Sequence, residues 1–208
     1  MGFLLSDDVV VTAYLELRTR VIAMLRDVEP STVANRVPHC PGWTVGDLVG
    51  HMIGVPEDIV AGRMEGVTTD AWTQAQADRH RGKTLRELAD AYEATSATFD
   101  PVLPHIPAPV NSQMVMDAVT HEHDLRFALD RDGARDSAAV SVALGWLVNM
   151  VDGRRPGYGE IVRAAGVSDW DLLRSLGGRR SAAQMDALGL DGATIVTLME
   201  GSPLKPPA

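Results

Sequence analysis

Asp117 and His121 stand one helical turn apart in "MDAVTHEHDL", and His51 closes the earlier stretch "CPGWTVGDLVGH". An i,i+4 spacing puts two side chains on one face of a helix. Met114, Ala118, Leu125 and Ala128 follow the same spacing, so Asp117 and His121 share an apolar, inward stripe. A buried carboxylate without a partner is expensive, and a divalent cation would compensate it. His51 lies on an arc with Leu48, Met52 and Val55. It would complete a set of two histidines and one carboxylate, which leaves coordination positions open for water or a substrate. Plainer readings stand beside this one: His51 can bond a carbonyl in a core, and Asp117 can bond His121 across the turn.

The neighbouring residues divide by position. Glu122, His123 and Asp124 point away from the inward stripe, which places them at the surface or behind the ligands. Asp47 reads as a helix cap. Cys40 follows Pro38-His39 in a loop and is not expected to act as a nucleophile. His39, His80 and His105 lie in loops beside proline or arginine and are assigned no role.

The elements that must position these residues are helical. Val10, Tyr14, Leu17, Val21, Leu25 and Val28 predict a long amphipathic helix over 7–28, ended by Glu29-Pro30. Residues 31–43, with Pro38 and Pro41-Gly42, read as a loop. Thr44-x-x-Asp47 resembles a capping box and starts a second helix, which Pro56 should kink or end. Residues 66–83 form a polar connection with room for a short helix. A third helix is expected over 84–100, an extended linker through the prolines of "DPVLPHIPAPV" (100–110), a fourth helix over 111–131 and a fifth over 136–152. Shorter helices follow near 158–165, 168–176 and 181–188, with Ser168 and Ser181 as N-caps. The one strand candidate is "ATIVTLM" (193–199). The predicted class is all-α, a helix bundle with a small, mainly helical C-terminal extension.

Composition narrows the function. A chain of 208 residues is long enough for a full core, and 45% hydrophobic with 23% charged residues is ordinary for a globular protein. A net charge of -9 without a Lys/Arg cluster argues against nucleic-acid binding. No apolar run approaches the ~20 residues that span a bilayer, so no membrane segment is expected. "MGFLLSDD" lacks a basic segment and is too short in apolar residues for a secretory signal. The single cysteine excludes an internal disulfide and fits a reducing, cytoplasmic location. Whether the chain forms a homodimer is left open.

Three ordered motifs carry a resemblance to a known family. "VPHCPGWTVGDLVGHM" is similar to the first motif, C-P-G-W-[ST]-x-x-D-L-x-x-H, of the mycothiol-dependent maleylpyruvate isomerase family, within the DinB-like superfamily of metal-binding four-helix bundles. "DAVTHEHDLRFAL" resembles its second motif, and "LLRSLGGRRSAAQMDALGLDG" its C-terminal stretch. The resemblance implies a DinB-like four-helix bundle over 1–153 and a reduced extension carrying GRRS over 154–208. It implies that His51, Asp117 and His121 hold a divalent metal, Zn2+ by preference, with Asp124 as a supporting acid. The carboxylate is Asp117 where the family usually has Glu, one methylene longer. The region ahead of GRRS is short, so the isomerase's own α/β C-terminal domain is expected to be missing or reduced.

The chemistry so implied is that of a thiol at a metal. Coordination deprotonates a low-molecular-weight thiol such as mycothiol, and the thiolate adds to an electrophilic substrate, as in an isomerase or a thiol S-transferase. Arg179 and Arg180 would fork onto a substrate carboxylate, or serve structurally near a helix start. Trp43 would wall the cofactor pocket, or simply pack in the core. The rival functions are a metal hydrolase using bound water and a non-catalytic metal-binding bundle.

Overall fold

The computed structural model describes residues 2–207 and is all-α, apart from one small hairpin among the described residues. Helix α1 (Asp7–Asp27) begins with Asp7 and Asp8 in its first turn and ends with Arg26, charges that complement the helix dipole. A 3-10 turn (Pro30–Ala34) leads into β1 (Arg36–Val37) and β2 (Cys40–Thr44), then α2 (Val45–Ala61), α3 (Asp70–Arg79), α4 (Leu85–Ala94) and α5 (Ser96–Phe99). After a second 3-10 turn (Leu103–His105) come α6 (Val110–Ala128), α7 (Ala138–Arg154), α8 (Tyr158–Arg163), α9 (Asp169–Leu176), α10 (Ala182–Asp186) and α11 (Gly192–Met199).

The chain divides into two compact units. One unit is made of Tyr14–Pro107 and His121–Gly133. Its core gathers Leu17, Val21, Leu25, Leu48, Ile53, Leu88, Tyr92 and Phe99, all essentially inaccessible. Tyr14 meets Phe99 edge to face at 5.4 Å. The start of α2 is fixed by a full capping box. The Asp47 carboxylate accepts the Thr44 amide at 3.0 Å, and the Thr44 hydroxyl accepts the Asp47 amide at 3.2 Å. Thr69 and Thr84 cap α3 and α4 in the same way, the latter with Glu87 as the reciprocal partner.

The other unit comprises residues up to Ala13, Ala108–Thr120 and the chain from Ala134 onward. Here α7 is the central helix, packed by α8, α9 and α11. The N-terminal segment crosses α7 at Gly145, where a Cβ would stand 2.5 Å from the Phe3 carbonyl oxygen. Ser168 caps α9, and Ser181 with Gln184 forms a capping box on α10, as their spacing predicts.

Three expectations are corrected, and that for Pro56, to kink or end α2, is narrowed. The predicted loop over 31–43 contains an antiparallel hairpin, Val37 pairing with Cys40 so that Pro38-His39 makes a two-residue turn. Its strands are too short to show a periodic pattern. Pro56 does not end α2, which runs on to Ala61. A proline removes one helix hydrogen bond, and the packing of α3 along this stretch holds the helix together. Residues 100–110 are not uniformly extended, since Leu103–His105 closes a 3-10 turn. The strand candidate 193–199 is helix α11. Its β-branched residues suggest a strand, but Asp191 accepts the Thr194 amide at 3.0 Å as an N-cap, and Ile195 and Met199 are buried at helical spacing. None of the described helices is long and apolar enough to cross a membrane.

Candidate metal centre

The capping box at Thr44 sets the phase of α2 and brings His51 inward, where it is 1% exposed. His121 on α6 is also buried, and the two imidazoles meet edge to face with centroids 5.0 Å apart. Asp117, half-buried, precedes His121 by one turn on α6. Donor atoms of His51, Asp117 and His121 all lie within 4.8 Å of one another. The three residues that the sequence singles out are therefore brought together. Cys40, His121 and Asp124 form a second group within the same limit.

Each histidine has a polar side chain close to its Nδ1. His51 Nδ1 lies 2.7 Å from Gln76 Oε1, and His121 Nδ1 lies 3.3 Å from Asp124 Oδ2. A polar partner behind a metal-ligating ring fixes its orientation. Two imidazole nitrogens and a carboxylate oxygen form a donor set that suits Zn2+, so the residues fit the implied ion. Trp43, the last residue but one of β2, stands beside both rings, 5.2 Å from His51 and 6.1 Å from His121. Its indole N–H donates to Gln74 Oε1 at 3.2 Å.

Of the two placements open to Glu122, His123 and Asp124, the surface one is excluded, since all three are essentially buried. A one-stripe reading of α6 fails because the helix is enclosed all round in this stretch, and its charges are met by residues distant in sequence. Arg20 donates to both Glu122 oxygens at 3.0 and 2.8 Å, and Arg126 adds bonds at 3.2 and 2.9 Å. Asp124 accepts from the Cys40 thiol at 3.6 Å and has His39 Nδ1 at 3.7 Å. Asp124 thus stands beside His121, Cys40 and His39.

His80, assigned no role in the sequence, is buried and bonded. Lys83 Nζ donates to its Nδ1 at 2.8 Å, and its Nε2 faces Glu57 at 3.2 Å. Hydrogen bonding from His80 holds the Glu57 carboxyl below the usual carboxylate range, against the opposing effect of burial. Arg179 donates to the Gly177 carbonyl at 3.1 Å, and Arg180 forms an ion pair with Asp171 at 2.5 Å. Both bonds are local to the C-terminal segment.

Sequence reasoning missed Gln76 and Asp58. Gln76 is fully buried, donates to Asp58 Oδ2 at 2.7 Å, and has its Oε1 2.7 Å from His51 Nδ1. Asp58, 1% exposed, also accepts from Arg63 at 2.6 Å and Arg79 at 2.7 Å. Gln76 sits in a polar stretch without periodicity, so nothing in its local pattern marks it. Asp58 follows Pro56 and carries no spacing motif.

The model of the mycothiol maleylpyruvate isomerase N-terminal domain matches residues 14–126, a span that takes in His51, Gln76, Asp117, His121 and Asp124. No curated protein and no solved structure gives a significant match. With more than half of its 208 residues matched, the chain belongs to the mycothiol maleylpyruvate isomerase family.

Proposed function

We propose that the protein is a metal-dependent enzyme that activates a low-molecular-weight thiol, mycothiol, for addition to an electrophilic substrate, acting as an isomerase or a thiol S-transferase. The observation that carries this reading is the close grouping of His51, Asp117 and His121 donor atoms in a chain of this family. These residues would hold Zn2+, which when bound converts a thiol to a thiolate at neutral pH.

The chain's own groups do the rest. Gln76 would orient the His51 imidazole so that it offers Nε2, and Asp124 lies 3.3 Å from His121 Nδ1. Trp43 supplies a flat apolar wall beside both rings, against which the carbon skeleton of a thiol would rest. Arg180 would exchange its Asp171 partner for a substrate carboxylate, with Arg179 next to it in sequence as a second donor.

The test is to load the purified protein with Zn2+ and follow two signals: free mycothiol in the presence of an electrophile, and double-bond isomerisation of maleylpyruvate. The proposal expects zinc-dependent loss of thiol or zinc-dependent isomerisation, abolished in Asp117→Asn. Zinc-loaded protein that does neither, or that cleaves esters or amides without any thiol, contradicts it.

A further inference from the structure

Gly50 and Gly54 lie one turn apart on α2, the helix against which α3 packs. A Cβ at Gly54 would stand 2.4 Å from the Cβ of Gln76, and one at Gly50 would stand 3.2 Å from Ala77 Cα. Real side chains do not tolerate the first distance. The glycines therefore let α3 lie close enough for Gln76 to reach His51 and Asp58 together, at 2.7 Å each.

The polarity of this chain of bonds is set at Asp58. A carboxylate only accepts, and its Oδ1 takes bonds from Arg63 Nε at 2.6 Å and Arg79 Nη2 at 2.7 Å. Its Oδ2 must then face the amino end of the Gln76 amide. Turning the amide over would press two oxygens together inside a buried site, so one orientation survives. That orientation points Oε1 at His51 Nδ1, and a nitrogen facing a carbonyl oxygen at this distance must carry the proton. A neutral imidazole protonated at Nδ1 keeps its lone pair on Nε2.

We infer that Asp58 and Gln76 form a polarity relay that locks His51 in its Nδ1–H tautomer, with the two arginines fixing the relay from its outer end. Gln76 is thereby a positioning residue for a metal ligand. The tautomer follows from the chain's own bonds. Only its consequence for metal affinity rests on the proposed metal-dependent function.

The experiment uses the 15N-labelled, metal-free protein at mildly alkaline pH, where imidazoles are neutral. Long-range 1H–15N correlation reads the tautomer of each ring, and His51→Ala identifies the His51 signals. The relay predicts the Nδ1–H pattern in the unaltered protein. It predicts a mixture or the Nε2–H form in Gln76→Leu, and the Nε2–H form in Asp58→Asn, where the arginines hold the new amide's oxygen, its NH2 faces Gln76, and the Gln76 amide must turn over. Zinc affinity, measured by competition with a chromophoric chelator, should fall on the order of 10–100-fold in Gln76→Leu. An Nε2–H pattern in the unaltered protein overturns the inference, and so does an unchanged Nδ1–H pattern in either variant. Should Gln76→Leu fail to fold, Asp58→Asn decides alone. Should the unaltered protein bind no zinc, the proposed function falls and the tautomer still decides the relay.

Discussion

His51 and His121 present their rings at 88° to each other, centroids 5.0 Å apart, in a setting where both side chains are buried. Two imidazoles so placed repel each other when both are protonated. Gln76 and Asp124 stand behind the two rings, and donor atoms of both histidines and of the Asp117 carboxylate lie within 4.8 Å of one another. On the proposed function, a shared cation would bind all three donors at once.

Asp117 supplies the only negative charge of that donor set. Asp117→Asn should lower zinc affinity by at least the roughly 10–100-fold that follows loss of an outer-shell partner, whereas Asp117→Glu, the residue more usual in the family motif, should retain binding. Chelator competition on both variants checks the pair. Equal affinity in Asp117→Asn and the unaltered protein would remove Asp117 from the set.

Gly54 is a test of packing. Gly54→Ala introduces a Cβ only 2.4 Å from Gln76 Cβ, and α2 and α3 must separate to admit it. A loss of about 1–3 kcal/mol in urea unfolding is expected, the range for overpacked sites. Zinc affinity should weaken with it, because Gln76 moves away from His51.

Glu122 anchors a buried charge network. Its side chain is fully buried and accepts from Arg20 and Arg126. Glu122→Ala leaves these arginines without their acceptor and should lower stability by about 3–5 kcal/mol in chemical denaturation. Arg20→Ala should be milder, because Arg126 still neutralises the carboxylate.

Glu57 gives a pH signature. The hydrogen bond from His80 lowers its carboxyl below the ordinary glutamate value, which is about 4.3 in an unfolded chain. The folded state binds this proton less readily than the unfolded state. Glu57 therefore contributes stability that is complete above about pH 4.3 and is lost as pH falls through the lower folded value. Urea midpoints measured against pH should converge for Glu57→Gln and the unaltered protein below that window and diverge above it.

The helices and their starts were legible because periodicity and capping are local. Thr44 with Asp47, Ser168 and Ser181 with Gln184 each form the cap that their spacing announces. The inward placement of His51 and His121 was legible for the same reason. Burial all round α6 was not, because the residue that makes Glu122 tolerable there, Arg20, lies on another helix. Gln76 was invisible because its role depends on how closely α3 approaches two glycines of α2, a distance that no sequence pattern encodes. The hairpin over β1 and β2 escaped because its first strand has only 2 residues.

The most direct measurement is metal content. The purified protein, saturated with Zn2+ and dialysed, should retain one zinc per chain by elemental analysis. His51→Ala and His121→Ala, each with unchanged helical circular dichroism, should retain almost none. Zinc retained at the same stoichiometry in folded His51→Ala would contradict the account at its centre.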